Sequence, residues 1–155
     1  MEKQMKRRII AIKMAFCLLV PAYAFAESTL KDKYSDAELI QIFKDEGYSA
    51  VSKKEDGIIR IKIDGEIYVI YNKYGGDLQN YYGISNAKIS YEDINEWNRT
   101  KRLSRAYLDS DKDSILESDL LANGGLTNKN VTEFFKIFVA SGKAFKEFLT
   151  AHKKN

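Results

Sequence analysis

Apolar positions recur every three to four residues in three stretches of the chain and every second residue in several shorter ones between them, so helices should flank and interrupt a run of strands. Ala37, Ile40 and Phe43 share one helical stripe. Ser35-Asp36-Ala37-Glu38 ahead of it has the capping-box pattern that opens a helix. Gly47 stands where the helix should close in a left-handed residue, and Tyr48 can fold back on Phe43. From Ile58 the period drops to two. Ile59 and Ile61 alternate with Arg60 and Lys62, Asp64-Gly65 interrupts, and Glu66 to Tyr71 resumes as a second strand.

The register of this hairpin follows from where its charges go. A two-residue Asp64-Gly65 turn puts Arg60 and Lys62 on the same face as Ile67, Val69 and Tyr71. A three-residue loop Ile63-Asp64-Gly65 groups Ile59 and Ile61 with Ile67, Val69 and Tyr71, and is the expected register. Tyr68 and Ile70 then lie on the opposite face with Arg60, Lys62 and Glu66, as a candidate partner-binding surface.

Gly75-Gly76-Asp77 predicts a turn, Leu78 to Ser85 a third strand, and Ser90-Tyr91-Glu92-Asp93 the start of a short helix to about Thr100 with Ile94 and Trp97 on one face. Asn95 and Asn98 flank that face and are placed to bond backbone groups at the helix end. Leu103 to Leu108 and Ile115 to Leu121 predict two more strands. Asn123-Gly124-Gly125 breaks the pattern, Thr127 caps a last helix whose stripe runs from Val131 to Leu149, and Ser141-Gly142 marks a bend within it. The order α-β-β-β-α-β-β-α argues an α+β domain with helices packed on an antiparallel sheet.

Composition changes this picture at the amino terminus. Lys3, Lys6, Arg7, Arg8 and Lys13 precede an apolar run, and Ala24-Phe25-Ala26 before Glu27 has the form of a secretory cleavage site, between Ala26 and Glu27. The uncharged stretch Met14 to Ala26 has 13 residues, against the roughly 20 needed to span a bilayer as an uncleaved anchor. Residues 1–26 therefore read as a cleavable signal peptide, 27–34 as a flexible lead-in and 35–155 as one α+β domain, exported to the periplasm or beyond, with no stable membrane anchor after cleavage. The leader holds five of the 25 Lys and Arg and one of the 22 Asp and Glu, leaving 20 basic and 21 acidic residues. The basic excess thus belongs to the leader, and a nucleic-acid partner is not expected.

Candidate chemistry is sparse. The one cysteine, Cys17, lies in the leader, and the one histidine, His152, lies near the carboxyl terminus, so Cys-His and Ser-His nucleophilic systems and histidine-centred zinc sites lack parts. Asp109-x-Asp111-x-Asp113 opens like a calcium loop, but Ser114 stands at the sixth position, where glycine belongs, and Leu120 at the twelfth, where a bidentate Glu belongs. These three aspartates are the weak metal candidates, and a solvated hairpin turn is the stronger reading. Gly124-Gly125-Leu126-Thr127 lacks the Lys and spacing of a nucleotide loop and reads as a positive-φ turn with a cap.

The segments Ile94-Asn95-Glu96-Trp97-Asn98-Arg99, Arg105 to Asp109, Leu116 to Leu120, Gly124-Gly125 and Asp45-Glu46-Gly47-Tyr48 resemble the bacterial YbjN-like family, labelled sensory transduction regulators. The resemblance implies a fold similar to type III secretion chaperones, and it carries over no catalytic residues. The expected function is a non-enzymatic periplasmic module, chaperone-like or regulatory, that binds a protein or peptide, or a second copy of itself, without a cofactor. The alternative is a carboxylate-based calcium sensor or small enzyme at the Asp109 to Glu117 turn.

Overall fold

Helix α1 (Asp36–Asp45) begins where its sequence says it should. The Ser35 hydroxyl accepts from the Glu38 N–H, and the Glu38 carboxylate accepts from the Ser35 N–H, closing two of the free donors of the first turn. It ends in a Schellman pair: Tyr48 N–H donates to the Phe43 carbonyl at 3.1 Å and Gly47 N–H to the Lys44 carbonyl at 3.0 Å, with Gly47 at φ +94°. The Tyr48 ring returns edge-on to Phe43. The buried stripe is Leu39, Ile42 and Phe43; Ala37 is exposed and Ile40 half-buried, so the helix is rotated from the expected face.

In the computed structural model, which describes residues 29–153, the chain continues through four strands, β1 (Val51–Glu55), β2 (Ile58–Ile63), β3 (Glu66–Tyr74) and β4 (Asp77–Ile84), then α2 (Tyr91–Thr100), β5 (Arg105–Leu108), β6 (Ser114–Leu120) and α3 (Asn128–His152). The strands form one antiparallel sheet in the order β1-β2-β3-β4-β6-β5. This is the expected α+β class with one additional strand, β1, at an edge.

The β2–β3 hairpin adopts the other register. Ile63 pairs with Glu66 across a two-residue turn in which Asp64 and Gly65 both have positive φ, the form whose twist matches paired strands. Ile59 therefore faces Ile70, and Ile61 faces Tyr68, on the inner side of the sheet. Tyr68 and Ile70 are each 1 % exposed, so they are core residues and not an accessible partner surface. The mixing of Arg60 and Lys62 with Ile67, Val69 and Tyr71 is tolerated because that face is open to water.

All three helices pack on the inner side. α3 supplies Val131, Phe135, Phe138, Gly142, Phe145 and Leu149 at alternating spacings of four and three, a single apolar seam. Phe135 meets Phe43 and Tyr68, Phe138 meets Tyr68, and Phe145 meets Trp97 from α2. α3 continues without interruption through Ser141-Gly142. Gly142 is there for closeness: a Cβ on it would lie 2.8 Å from Tyr68 Cε1 and 3.3 Å from Tyr82 Cδ1, two rings stacked at 4.8 Å.

The lead-in is tied down from Lys31 onward. Lys31 and Leu126 exchange backbone hydrogen bonds of 2.9 and 2.8 Å, and the fully buried Tyr34 donates its hydroxyl to the Leu126 carbonyl. Two glycines make room for this strap. A Cβ on Gly76 would fall 2.2 Å from the Asp32 carbonyl oxygen, and one on Gly125 2.9 Å from Leu30 Cβ. The proposed cleavage site at Ala26 and Glu27 lies outside the described residues.

Candidate functional site

With the helices on one side, the other side of the sheet is a surface without a covering layer among the described residues. One row of side chains crosses all six strands: Ser52, Arg60, Val69, Tyr81, Glu117, Arg105. The next row holds Ile58, Tyr71, Gln79 and Asp119. Tyr71 and Tyr81 meet edge-on at 5.9 Å, and Tyr81 leans over Gly83, whose missing side chain leaves room for the phenol. The centre of this face is aromatic and half-buried.

Its two ends differ in charge. At the β6 end Glu117 is nearly buried, accepting from Arg105 at 2.8 and 3.1 Å and from the Tyr107 hydroxyl at 2.8 Å. Burial first, then the bond to Glu117, pushes the Tyr107 phenol well above its ordinary range, so it remains a donor. At the β1–β2 end stand Arg60 and Lys62 beside the partly exposed Ile67, around a shallow cavity of about 290 Å³ that reaches Val51 and Ser52 of β1.

The two edges of the sheet are also unlike. At β5 the Asn98 side chain behaves as a short piece of neighbouring strand: its Nδ2 donates to the Ala106 carbonyl at 2.9 Å and its Oδ1 accepts from the Ala106 N–H at 2.8 Å. The outward groups of that residue are thereby closed. Asn98 was expected to bond backbone groups at its helix end; it bonds strand backbone instead. The outer edge of β1 has no such cover among the described residues. A bulge between Lys53 and Glu55 bends it, and Lys53 reaches back to Asp36 at 3.3 Å.

Asp36 anchors α1 to the β1–β2 turn. Burial alone would raise its carboxyl, but bonds from the Gly57 N–H, from Asn72 and from Lys53 outweigh burial and leave it below its ordinary value.

In the acidic turn between β5 and β6, Asp109 serves the turn's own backbone and Asp113 ties it to the loop after β4. Asp109 Oδ1 accepts from the N–H groups of Asp111 and Asp113, and Asp113 accepts from the Ser85 hydroxyl at 2.6 Å and the Asn86 N–H at 3.1 Å. Lys112 occupies the left-handed position of the turn. Among the described residues no group of three or more His, Cys, Asp or Glu is arranged to hold a metal ion. His152 is exposed on the last turn of α3, stacked on Phe148. Among the described residues no helix is long and apolar enough to cross a membrane.

An antiparallel sheet with three helices on one face, one edge capped at Ala106 and the other without such a cap among the described residues, defines the α+β fold class. The chain belongs to the YbjN family, described as "Putative bacterial sensory transduction regulator", whose model matches residues 35–151. Comparison with curated proteins gives no match. Among solved structures the fold is similar to that of the Yersinia pestis type III secretion chaperone SycH, solved in complex with a stable fragment of YscM2, with a TM-score of 0.50 and 19% identity over 68% of this chain and 95% of that one.

Proposed function

We propose that the protein is a non-enzymatic, exported binding module, chaperone-like or regulatory, that takes an extended segment of another protein along the open edge of β1. The observation that carries this reading is the asymmetry of the edges. A sheet edge is a row of donors and acceptors awaiting a strand. Asn98 closes one such row at its centre, and β1 leaves the other available. The adjoining cavity beside Val51, Arg60 and Ile67 gives alternate side chains of an added strand somewhere to sit.

Lys53 and Lys54 on the same edge oppose pairing of two β1 strands, which favours a different protein over a second copy. The fold shared with a chaperone solved in complex with a protein fragment supports a protein partner, and the basic, apolar leader with Ala26 before Glu27 supports export.

A photo-crosslinking amino acid placed at Ser52 or at Lys54 of the protein in living cells tests the reading. The expected result is a discrete adduct from the β1 positions and none from Tyr107 beside the closed edge. Equal labelling from both edges, or none from β1, would refute it. Fractionation of the tagged full chain is expected to find it in the periplasm, and retention in the cytosol would refute the export part alone.

A further inference from the structure

Between the β2–β3 turn and the last turns of α3 lies a cavity of about 530 Å³, on the opposite side of the sheet from the face and edge assigned to a protein partner. Its size falls within the range of small-molecule sites, which is roughly 300–1,000 Å³. We propose that it binds a small uncharged amphiphile, whose aliphatic body lies against Ile63 and Ala151 and whose carbonyl accepts a hydrogen bond from the Tyr68 hydroxyl.

Three observations select that chemistry. The first is an unmet donor. Tyr68 is 1 % exposed and lines the cavity, yet its hydroxyl has no hydrogen-bond partner among the described residues, whereas the Tyr82 hydroxyl stacked beside it donates to Glu66 at 2.8 Å. The hydroxyl faces the cavity and not the packed core, so it is free to donate to whatever occupies that space. Burial, with the charges of Glu66 and Asp64, pushes this phenol up to about 12, so at neutral pH it can only be met as an O–H group.

The second observation is charge. Two lysines stand at the rim, but each already has an acid: Lys143 pairs with Asp64, and Lys146 with Glu66. With these pairs made, the remaining formal charge in the lining is that of Glu147, which disfavours an anionic head group. Third, Ile63, Tyr82, Ala151 and the lysine stems give the lining an apolar strip beside the paired acids, Glu147 and Thr150, and that strip suits a short hydrocarbon body. The ion pairs tie the hairpin tip to α3, so a ligand seated beneath them would be held by two elements that are far apart in the chain.

N-methyloctanamide titrated into the purified protein, followed by backbone amide NMR shifts, tests the proposal. Saturable shifts are expected to cluster at Ile63 to Tyr68 and Lys143 to Ala151. Tyr68→Phe keeps the ring stack and should weaken binding about tenfold, the size of one buried hydrogen bond. Ala151→Trp, a change at an exposed helical position that fills the cavity, should abolish saturation while leaving the spectrum folded. Absence of saturable shifts at millimolar amide, or equal affinity for Tyr68→Phe, would overturn the proposal. Octanoate binding as tightly as the amide would overturn the uncharged head group.

Discussion

Gly142→Ala sets two opposing energies against each other at one atom. In a helix interior, replacing glycine by alanine is ordinarily worth about 1 kcal/mol of added stability, because glycine has more backbone freedom to lose. Here the new methyl would stand 2.8 Å from Tyr68 Cε1, 3.1 Å from its hydroxyl and 3.3 Å from Tyr82 Cδ1. Neither ring has much freedom to yield. Tyr82 is held by Glu66, and Tyr68 is wedged edge-on between Phe135 and Phe138. Overpacking of this kind costs about 1–3 kcal/mol, so the net effect should be destabilisation by about 1 kcal/mol. Urea denaturation followed by far-UV circular dichroism and by Trp97 fluorescence measures it, with coincident transitions as the two-state check. A second background separates the two contributions. In Tyr68→Leu, which lacks the far ring atoms, the same alanine should stabilise, and the coupling between the two sites should be about 2 kcal/mol. If Gly142→Ala instead raised the stability of the native sequence by its full helical increment, α3 would not approach the tyrosine pair this closely, and the reasoning would fail.

Three further outcomes follow from contacts already described. Asn98→Ala removes both bonds to Ala106 and should cost about 1–3 kcal/mol, with concentration-dependent association by light scattering as the uncovered β5 edge finds other strands. Lys31 first, then the bonds from Ser35, hold the Glu38 carboxyl down from its ordinary 4.5 to about 2, so its contribution is present above pH 4.5 and is lost as the pH falls toward 2. Amide protection factors at the start of α1, with the pH dependence of intrinsic exchange divided out, should therefore fall in that window, and unchanged protection in Glu38→Gln would confirm the source. Asp113→Ala should cost about 1–2 kcal/mol by freeing the Ser85 hydroxyl and the Asn86 N–H, with the same loss in calcium and in chelator; a calcium-dependent difference would return the turn to consideration as a metal site.

Helix ends were the most legible features because their chemistry is local. Ser35 with Glu38, Ser90 with Asp93 and Thr127 at the start of α3 each cap the helix they were expected to cap, and Gly47 closes α1 as its place in the sequence implies. Strand β1 was not legible, since Val51 is its one apolar residue and an edge strand needs only one side buried at one point. The hairpin register departs from the expected one for a related reason. Arg60 and Lys62 counted against sharing a face with Ile67 and Tyr71, a penalty that applies to a buried face and not to an open one. That single slip exchanged the two sides of β3 and put Tyr68 and Ile70 outside when they belong to the core. The strap from Lys31 to Tyr34 was hidden for another reason: its partners, Leu126 and the glycines at 76 and 125, are remote in sequence, and only a folded chain brings them within reach.

The unequal edges also fix a number. A scaffold able to accept a strand on both sides can join others into an indefinite row, whereas one whose far side is stopped by an asparagine has a valence of one. If β1 takes a strand as proposed, each molecule holds a single extended guest by its sheet, so complexes formed that way are one to one and saturate, and a rising concentration fills sites without building filaments.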